Sequence, residues 1–166
     1  MRKICLLVIW VFGNIAWAQN PDTLVQDAIR KQKAGDLDGA VREHKEFLKS
    51  HPDAAVVRAN LGAALAGLGR FEEAIREYKA ALSQSPPVPE VSVNLALAYY
   101  KMGRIGDAAF TLAKVHKAAP ANNQATILLA DCHLRMGQNK NTIRVLQPVA
   151  KDRPDDLAVA YMLPRP

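Results

Sequence analysis

The sequence predicts an all-α fold assembled from repeated helical hairpins. Two residue types recur with the same period of 34, glycine in the middle of each unit and proline near its end. The glycines are Gly35, Gly69, Gly103 and Gly137, and the prolines are Pro52, Pro86, Pro120 and Pro154. Hydrophobic residues make up 49% of the chain but aromatic residues only 6%, which favours packed helices over a β-sandwich or barrel. Two columns with one period indicate an array of structural repeats.

Each unit follows the order helix A, glycine turn, helix B, proline stop. Apolar residues recur at helical spacing on both sides of the second glycine. Before it stand Leu61, Ala64, Leu65 and Leu68, and after it stand Phe71, Ala74, Ile75, Tyr78, Ala81 and Leu82. Glycine can adopt the left-handed conformation that ends helix A without strain, and proline cannot continue helix B.

Two further columns hold small residues, which predicts that the two helices of a hairpin approach closely. In helix A these are Ala28, Gly62, Ala96 and Ala130, and in helix B they are Ala40, Ala74, Ala108 and Thr142. A single hairpin cannot bury its apolar face alone. The hairpins are therefore expected to stack into a solenoid.

These columns resemble the tetratricopeptide repeat, whose pattern is L-G…A-x₃-F…P. The second repeat carries Leu61, Gly62, Ala74, Tyr78, Ala81 and Pro86, and the third carries Leu95, Ala96, Tyr99, Ala108 and Pro120. The tryptophan usual in this pattern is replaced by Leu24, Arg58, Ser92 and Thr126. The resemblance covers four repeats, 21–54, 55–88, 89–122 and 123–156, and the whole domain is expected to span residues 21–163. It implies a right-handed solenoid with a concave groove lined by the A helices, and binding of a protein or peptide rather than catalysis.

The resemblance also implies which A-helix residues face the groove. They are Asn60, Ala63, Asn94, Leu97, Tyr100, Lys101, Asp131, Leu134 and Arg135, preceded in the first repeat by Val25, Ile29 and Lys33. Val25 and Ile29 replace the polar pair with which chaperone-binding relatives clamp a terminal carboxylate. We therefore expect an apolar groove in which Asn60 and Asn94 bind a peptide backbone, or else hydrogen-bond between helices.

Residues 1–18 read as a secretory signal peptide. Arg2 and Lys3 precede a short apolar run, and Ala16-Trp17-Ala18 forms a small-residue cleavage site before Gln19. The run is shorter than the roughly 20 residues that span a membrane, which favours a cleaved signal peptide. The alternative is an uncleaved membrane anchor. After cleavage, no stable membrane span is expected. The protein is thus predicted to be exported, to the periplasm or beyond the cell.

The ends of the array depart from the pattern. Asp27, Lys31 and His44 are polar where the second repeat is apolar, which is typical of a capping repeat, and Asp27 is expected to pair with Lys31. Pro148 is expected to kink or break the last B helix near Gln147. A partial capping helix is predicted over residues 157–163, either as a lid or as the remnant of a longer array.

Catalytic, metal and nucleic-acid functions are not expected. No histidine pair has the i, i+4 spacing that would place two ligands on one helical turn, so structural or surface roles are predicted for His44, His51, His116 and His133. After cleavage Cys132 is the one remaining thiol, predicted to be buried and unreactive. The net charge is +6, but basic and acidic residues alternate along the helices, which indicates solvated faces rather than a phosphate-binding stripe. No cofactor is implied.

Two functional classes remain. The first is an exported adaptor or scaffold that binds a partner segment in the groove. The second is a structural, self-associating remnant of a longer envelope protein, which would pair through its open C-terminal face.

Overall fold

The computed structural model describes residues 21–84 and 88–163, where it contains nine α-helices and no strand. The predicted signal peptide and Pro86 lie outside the described residues. The helices are α1 (Pro21–Lys33), α2 (Leu37–Ser50), α3 (Ala55–Gly67), α4 (Phe71–Gln84), α5 (Pro89–Lys101), α6 (Ile105–Ala118), α7 (Asn123–Arg135), α8 (Asn139–Asp152) and α9 (Leu157–Met162). Four hairpins and a partial C-terminal helix confirm the predicted fold class. The A helices are α1, α3, α5 and α7.

The glycine column forms the turns inside the hairpins. Each of the four glycines has a positive φ, between 70° at Gly137 and 85° at Gly35. The residue after each glycine donates its N–H to a carbonyl five residues earlier, as Arg104 does to Tyr99 over 2.9 Å. This bond satisfies a carbonyl that the end of helix A leaves without an intrahelical partner. A residue with a Cβ would be strained at these four positions.

The small columns lie where the two helices of a hairpin meet. Ala74 and Ala108 are completely buried. At Gly62 a Cβ would lie 2.7 Å from Cε1 of Tyr78, so the tyrosine ring packs directly on the backbone of α3. Small residues here let the helix axes approach until such rings fill the space between them.

The core runs along the array rather than around one centre. Each helix contacts its neighbours in the chain, and successive A helices also contact one another. One apolar cluster extends from Ala40 to Val159, and a smaller one beside it contains Leu24, Phe47 and Val57. This pattern is typical of a solenoid, in which each unit is stabilised by the units beside it.

The ion pair predicted between Asp27 and Lys31 is wrong. Asp27 instead accepts a hydrogen bond from Arg30 over 2.7 Å. Lys31 extends to α2 and pairs with Glu43 over 2.5 Å. The reason is that Lys31 and Glu43 face each other across the first hairpin, where both side chains are partly shielded from water.

A kink or a break was predicted at Pro148, and the break is wrong, because α8 continues from Asn139 to Asp152. Pro148 is exposed, whereas Val145, Leu146 and Val149 are buried on either side of it. Their packing holds both halves of the helix on the array and offsets the backbone hydrogen bond that proline cannot make.

Candidate functional site

The A-helix face contains an apolar depression of about 650 Å³ between α5, α7 and α9. Three of the residues that the resemblance placed in the groove line it, namely Leu97, Asp131 and Leu134. Its other lining residues are Gln124, Ile127, Leu128, Tyr161 and Met162. A depression of this size with mostly apolar walls has the character of a ligand-binding site in proteins. We call it the groove depression.

A fixed polar cluster of Tyr100, Asp131 and Arg135 adjoins the groove depression. The Tyr100 hydroxyl donates a hydrogen bond to Oδ2 of Asp131, and Nε of Arg135 donates to the same oxygen over 2.9 Å. The Arg135 guanidinium also lies 4.8 Å from the centre of the Tyr100 ring. Because each side chain is held by the other two, the cluster presents a pre-organised polar edge beside the apolar surface.

The electrostatics of this cluster are those of a closed ion pair. Burial, and then the hydrogen bond to Asp131, raises the pKa of Tyr100. The hydrogen bond to Asp131 raises the pKa of Arg135 above its usual value. The tyrosine is therefore protonated and the arginine charged at neutral pH. One carboxylate and one guanidinium leave the cluster without net charge.

The other predicted groove residues lie outside the groove depression. Asn60 lines a smaller depression of about 210 Å³ with Val56 and Val91. Ala63 is half-buried, and Asn94 and Lys101 are exposed. The alternative of hydrogen bonds between helices is not found, since neither Asn60 nor Asn94 forms a side-chain hydrogen bond among the residues that the structure describes. Of the nine residues predicted from the second to the fourth repeat, three therefore line the groove depression, and one lines the smaller depression.

Sequence reasoning missed five residues of the groove depression. Ile127 and Leu128 occupy the same repeat positions in α7 as Val25 and Asn94 do in other A helices, and Gln124 stands about one helical turn before Ile127. Tyr161 and Met162 fall on those positions in a fifth repeat that begins at residue 157. The 34-residue register was the signal that could have found them.

In the described part of the chain, neither cysteine nor histidine lines the groove depression. Cys132, on the buried side of α7, is fully shielded from water, and its burial raises the pKa of the thiol to about 11. A thiol with that pKa stays protonated and is a poor nucleophile. No cluster of three metal-ligating side chains occurs among residues 21–84 and 88–163. Over the same residues, no helix is long and apolar enough to cross a membrane.

Comparison with known proteins agrees with this architecture. A family model described as TPR repeat matches residues 64–103, and one described as anaphase-promoting complex, cyclosome, subunit 3 matches residues 101–165. No curated protein matches the chain.

Solved structures of similar fold include the MamA protein, with a TM-score of 0.80, 20% identity, and coverage of 86% of this chain and 78% of that one. YrrB, described as a TPR protein with an unusual peptide-binding site, has a TM-score of 0.78, 14% identity, and coverage of 87% and 74%. The first TPR of Spaghetti (RPAP3), bound to the HSP90 peptide SRMEEVD, has a TM-score of 0.68, 18% identity, and coverage of 72% and 94%. With the repeat register and the four helical hairpins, these structures show that the chain has the fold of a tetratricopeptide-repeat solenoid.

Proposed function

We propose that this protein is a non-enzymatic adaptor or scaffold that binds a protein or peptide segment in its concave groove. The observation that carries the proposal is the groove depression, an apolar surface beside the fixed cluster of Tyr100, Asp131 and Arg135. Two proteins of similar fold support it, since YrrB is described as having a peptide-binding site and the Spaghetti domain is bound to a peptide.

The groove depression favours a segment with at least one apolar side chain. Leu97 is 36% exposed and lies across the depression from Ile127 and Leu134, so an apolar side chain placed among them would be removed from water. Such burial contributes roughly 25 cal/mol per Å² before the ordering of the peptide is subtracted. The exposed amide of Asn94 stands one helical turn before Leu97 and can hydrogen-bond to the backbone of the bound segment.

Salt is expected to weaken this binding little. Asp131 and Arg135 already neutralise each other, so the segment gains few new ion pairs. The acidic peptide SRMEEVD bound by the Spaghetti domain provides a useful contrast. On the present chain an apolar peptide should bind more tightly than that acidic one.

A selection from a displayed library of random peptides tests the proposal. Peptides that bind the full chain should carry apolar residues, and Leu97→Asp, Leu134→Asp and Asn94→Ala should each weaken their binding without changing helicity. The matched control is Ile143→Asp on α8, since Ile143 is 40% exposed but lies outside the groove depression. Equal loss of binding in the control, or no loss in Leu97→Asp, would place the binding surface elsewhere.

We also propose that the protein is exported and cleaved before Gln19. The support is the charged, apolar and small-residue order of the first 18 residues. Cleavage removes Trp10 and Trp17, the two tryptophans of the chain, so the mature protein should show no tryptophan emission. Mass spectrometry of the protein recovered from its source cell would contradict cleavage if residues 1–18 were still present.

A second candidate function is self-association through the C-terminal face. Leu157 is 85% exposed and Tyr161 is 89% exposed on α9, so two large apolar side chains face water at the end of the array. Light scattering over a range of protein concentrations distinguishes the candidates. A mass that rises with concentration in the absence of peptide, and that falls to the monomer value in Leu157→Asp, would favour self-association.

A further inference from the structure

A second cavity lies on the side of α5 away from the groove. It has a volume of about 580 Å³ and lies between α4, α5 and α6. On α5 it is lined by Ser92, Leu95 and Tyr99, which share one helical stripe, while Leu97 of the groove depression stands on the opposite side of the helix. The two cavities share no lining residue. We call the second one the α4–α6 cavity.

Two residues of the third repeat line this cavity and differ from what the repeat pattern leads one to expect. Ser92 stands where the tetratricopeptide pattern has tryptophan, so a small side chain replaces a very large one. Phe110 stands where the other three repeats have arginine, at Arg42, Arg76 and Arg144. Ser92 thus provides a small side chain on the floor of the cavity, where the repeat pattern has a large one. Phe110 provides an aromatic ring at its mouth, where the other repeats have a charge.

In the second and fourth repeats, the residue at the position of Ser92 makes a side-chain contact with helix B of a hairpin. Arg58 in the second repeat reaches across to Glu77 over 2.8 Å. Thr126 in the fourth is fully buried, and its hydroxyl lies 2.9 Å from Nδ1 of His116. At the third repeat Ser92 stands at this position instead, and the α4–α6 cavity lies beside it.

The walls of the cavity are apolar and its rim is cationic. Phe110 is 65% exposed, and Nζ of Lys114 lies 4.2 Å from the centre of its ring. Nζ of Lys79 lies 5.9 Å from the centre of the Tyr99 ring. Within residues 21–84 and 88–163 neither lysine has a carboxylate at ion-pair distance, and Asp107 is engaged by Arg104 over 2.7 Å. Two ammonium groups at an apolar slot complement a ligand with a negative end and an apolar body.

We propose that the α4–α6 cavity binds a small amphipathic carboxylate. Its apolar body enters between Leu95 and Phe110 toward Ser92, and its carboxylate stays at the mouth beside Lys79 and Lys114. The volume is several times the roughly 150 Å³ that accommodates one benzene ring, so the cavity accepts a medium-length alkyl chain or a two-ring aryl group. This site is separate from the proposed peptide groove and does not depend on it.

Dodecanoate, kept below its micelle concentration, is the probe. Methyl NMR spectra of the full chain should show saturable shifts at Leu82, Leu95 and Val115, which line the cavity, and none at Leu134 in the groove. Dodecanol has the same alkyl chain without the charge and should bind more weakly. Lys114→Met removes one ammonium group and should weaken dodecanoate about two- to five-fold, the range of a solvent-exposed ion pair.

Two variants test the cavity by different routes, one by filling it and the other by removing an apolar wall. Ser92→Trp restores the residue of the tetratricopeptide pattern and should abolish dodecanoate binding. Phe110→Gln replaces the exposed ring by a polar side chain without adding a charge, so it should fold normally and weaken binding about tenfold or more. The groove variant Leu134→Asp is the control and should bind dodecanoate as the unmodified chain does.

Several results would overturn the proposal. They are the absence of saturable shifts at the cavity methyl groups, an affinity for dodecanol equal to that for dodecanoate, and an unchanged affinity for dodecanoate in Phe110→Gln. Shifts confined to the groove methyl groups would likewise show that dodecanoate binds there instead. If an acidic peptide shifted the cavity methyl groups and dodecanoate did not, the occupant would be a peptide segment rather than a small molecule.

Discussion

Replacing His44 by leucine is expected to stabilise the protein and to reduce its loss of stability in mild acid. His44 lies on α2 and is completely buried, and neither ring nitrogen has a hydrogen-bond partner in the described structure. The equivalent positions of the next three repeats hold Tyr78, Leu112 and Leu146, all of them buried. The first repeat therefore places an imidazole in a column built for an apolar side chain.

The size of the effect follows from two contributions. A buried polar group without a partner costs about 1–3 kcal/mol, so His44→Leu should raise the free energy of unfolding by about that amount at neutral pH. Burial also lowers the pKa of His44 from 6.5, a shift that Glu43 partly opposes. Below pH 6.5 the unfolded chain therefore binds more protons at this residue than the folded chain does. As the pH is lowered from 6.5 to the folded-state pKa of His44, the free energy of unfolding consequently decreases. The decrease is at most about 1.4 kcal/mol per pH unit.

Urea unfolding followed by circular dichroism at about pH 7.5 and about pH 5.5 measures both contributions. The stability difference between His44→Leu and the unmodified chain should be larger at the lower pH, by up to about 1.4 kcal/mol. Every other titrating group is present in both proteins, so the comparison isolates His44. His51→Leu, which changes an exposed histidine just after α2, is the matched control for the loss of one imidazole. Equal losses of stability in His44→Leu and the unmodified chain would refute the reasoning.

Two further predictions concern packing and local stability. Ala74→Leu and Ala108→Leu should each lower the free energy of unfolding by about 1–3 kcal/mol, because both residues are completely buried between the helices of a hairpin. The exposed Ala113→Leu is the control, and unchanged urea midpoints for the two buried variants would mean that this interface is misplaced. Amide exchange should be fastest in α9 and the end of α8, where few units stack, and slowest over residues 61–112. Uniform protection from residue 22 to residue 163 would contradict this.

The period of the sequence predicted the hairpins because each turn depends on a single residue type. A positive φ strongly favours glycine, so the column that begins at Gly35 located all four turns between helices A and B. The small residue at Ala74 likewise located the closest helix contact. These features depend on local backbone geometry and on the size of one side chain, both of which can be read without a structure.

Features that depend on two repeats at once were not predictable in this way. Tyr100 and Asp131 were each assigned to the groove face, but their hydrogen bond depends on the rotation between α5 and α7. Arg30 and Glu43 displaced the predicted pair because partners three residues away and across the hairpin compete with i, i+4 neighbours. The α4–α6 cavity depends on what three helices leave unfilled, which no single column reports.

The neighbour-by-neighbour packing of the helices has a mechanical consequence. Every helix contact in the described structure joins helices that are consecutive in the chain or one hairpin apart. A force that pulled on the two ends would therefore meet no interface that ties one end to the other. It would peel hairpins away one after another, starting from an end, and each 34-residue unit would lengthen the chain by roughly 110 Å as it became extended. The protein would yield to tension in steps, with the strength of one hairpin interface setting the force of each.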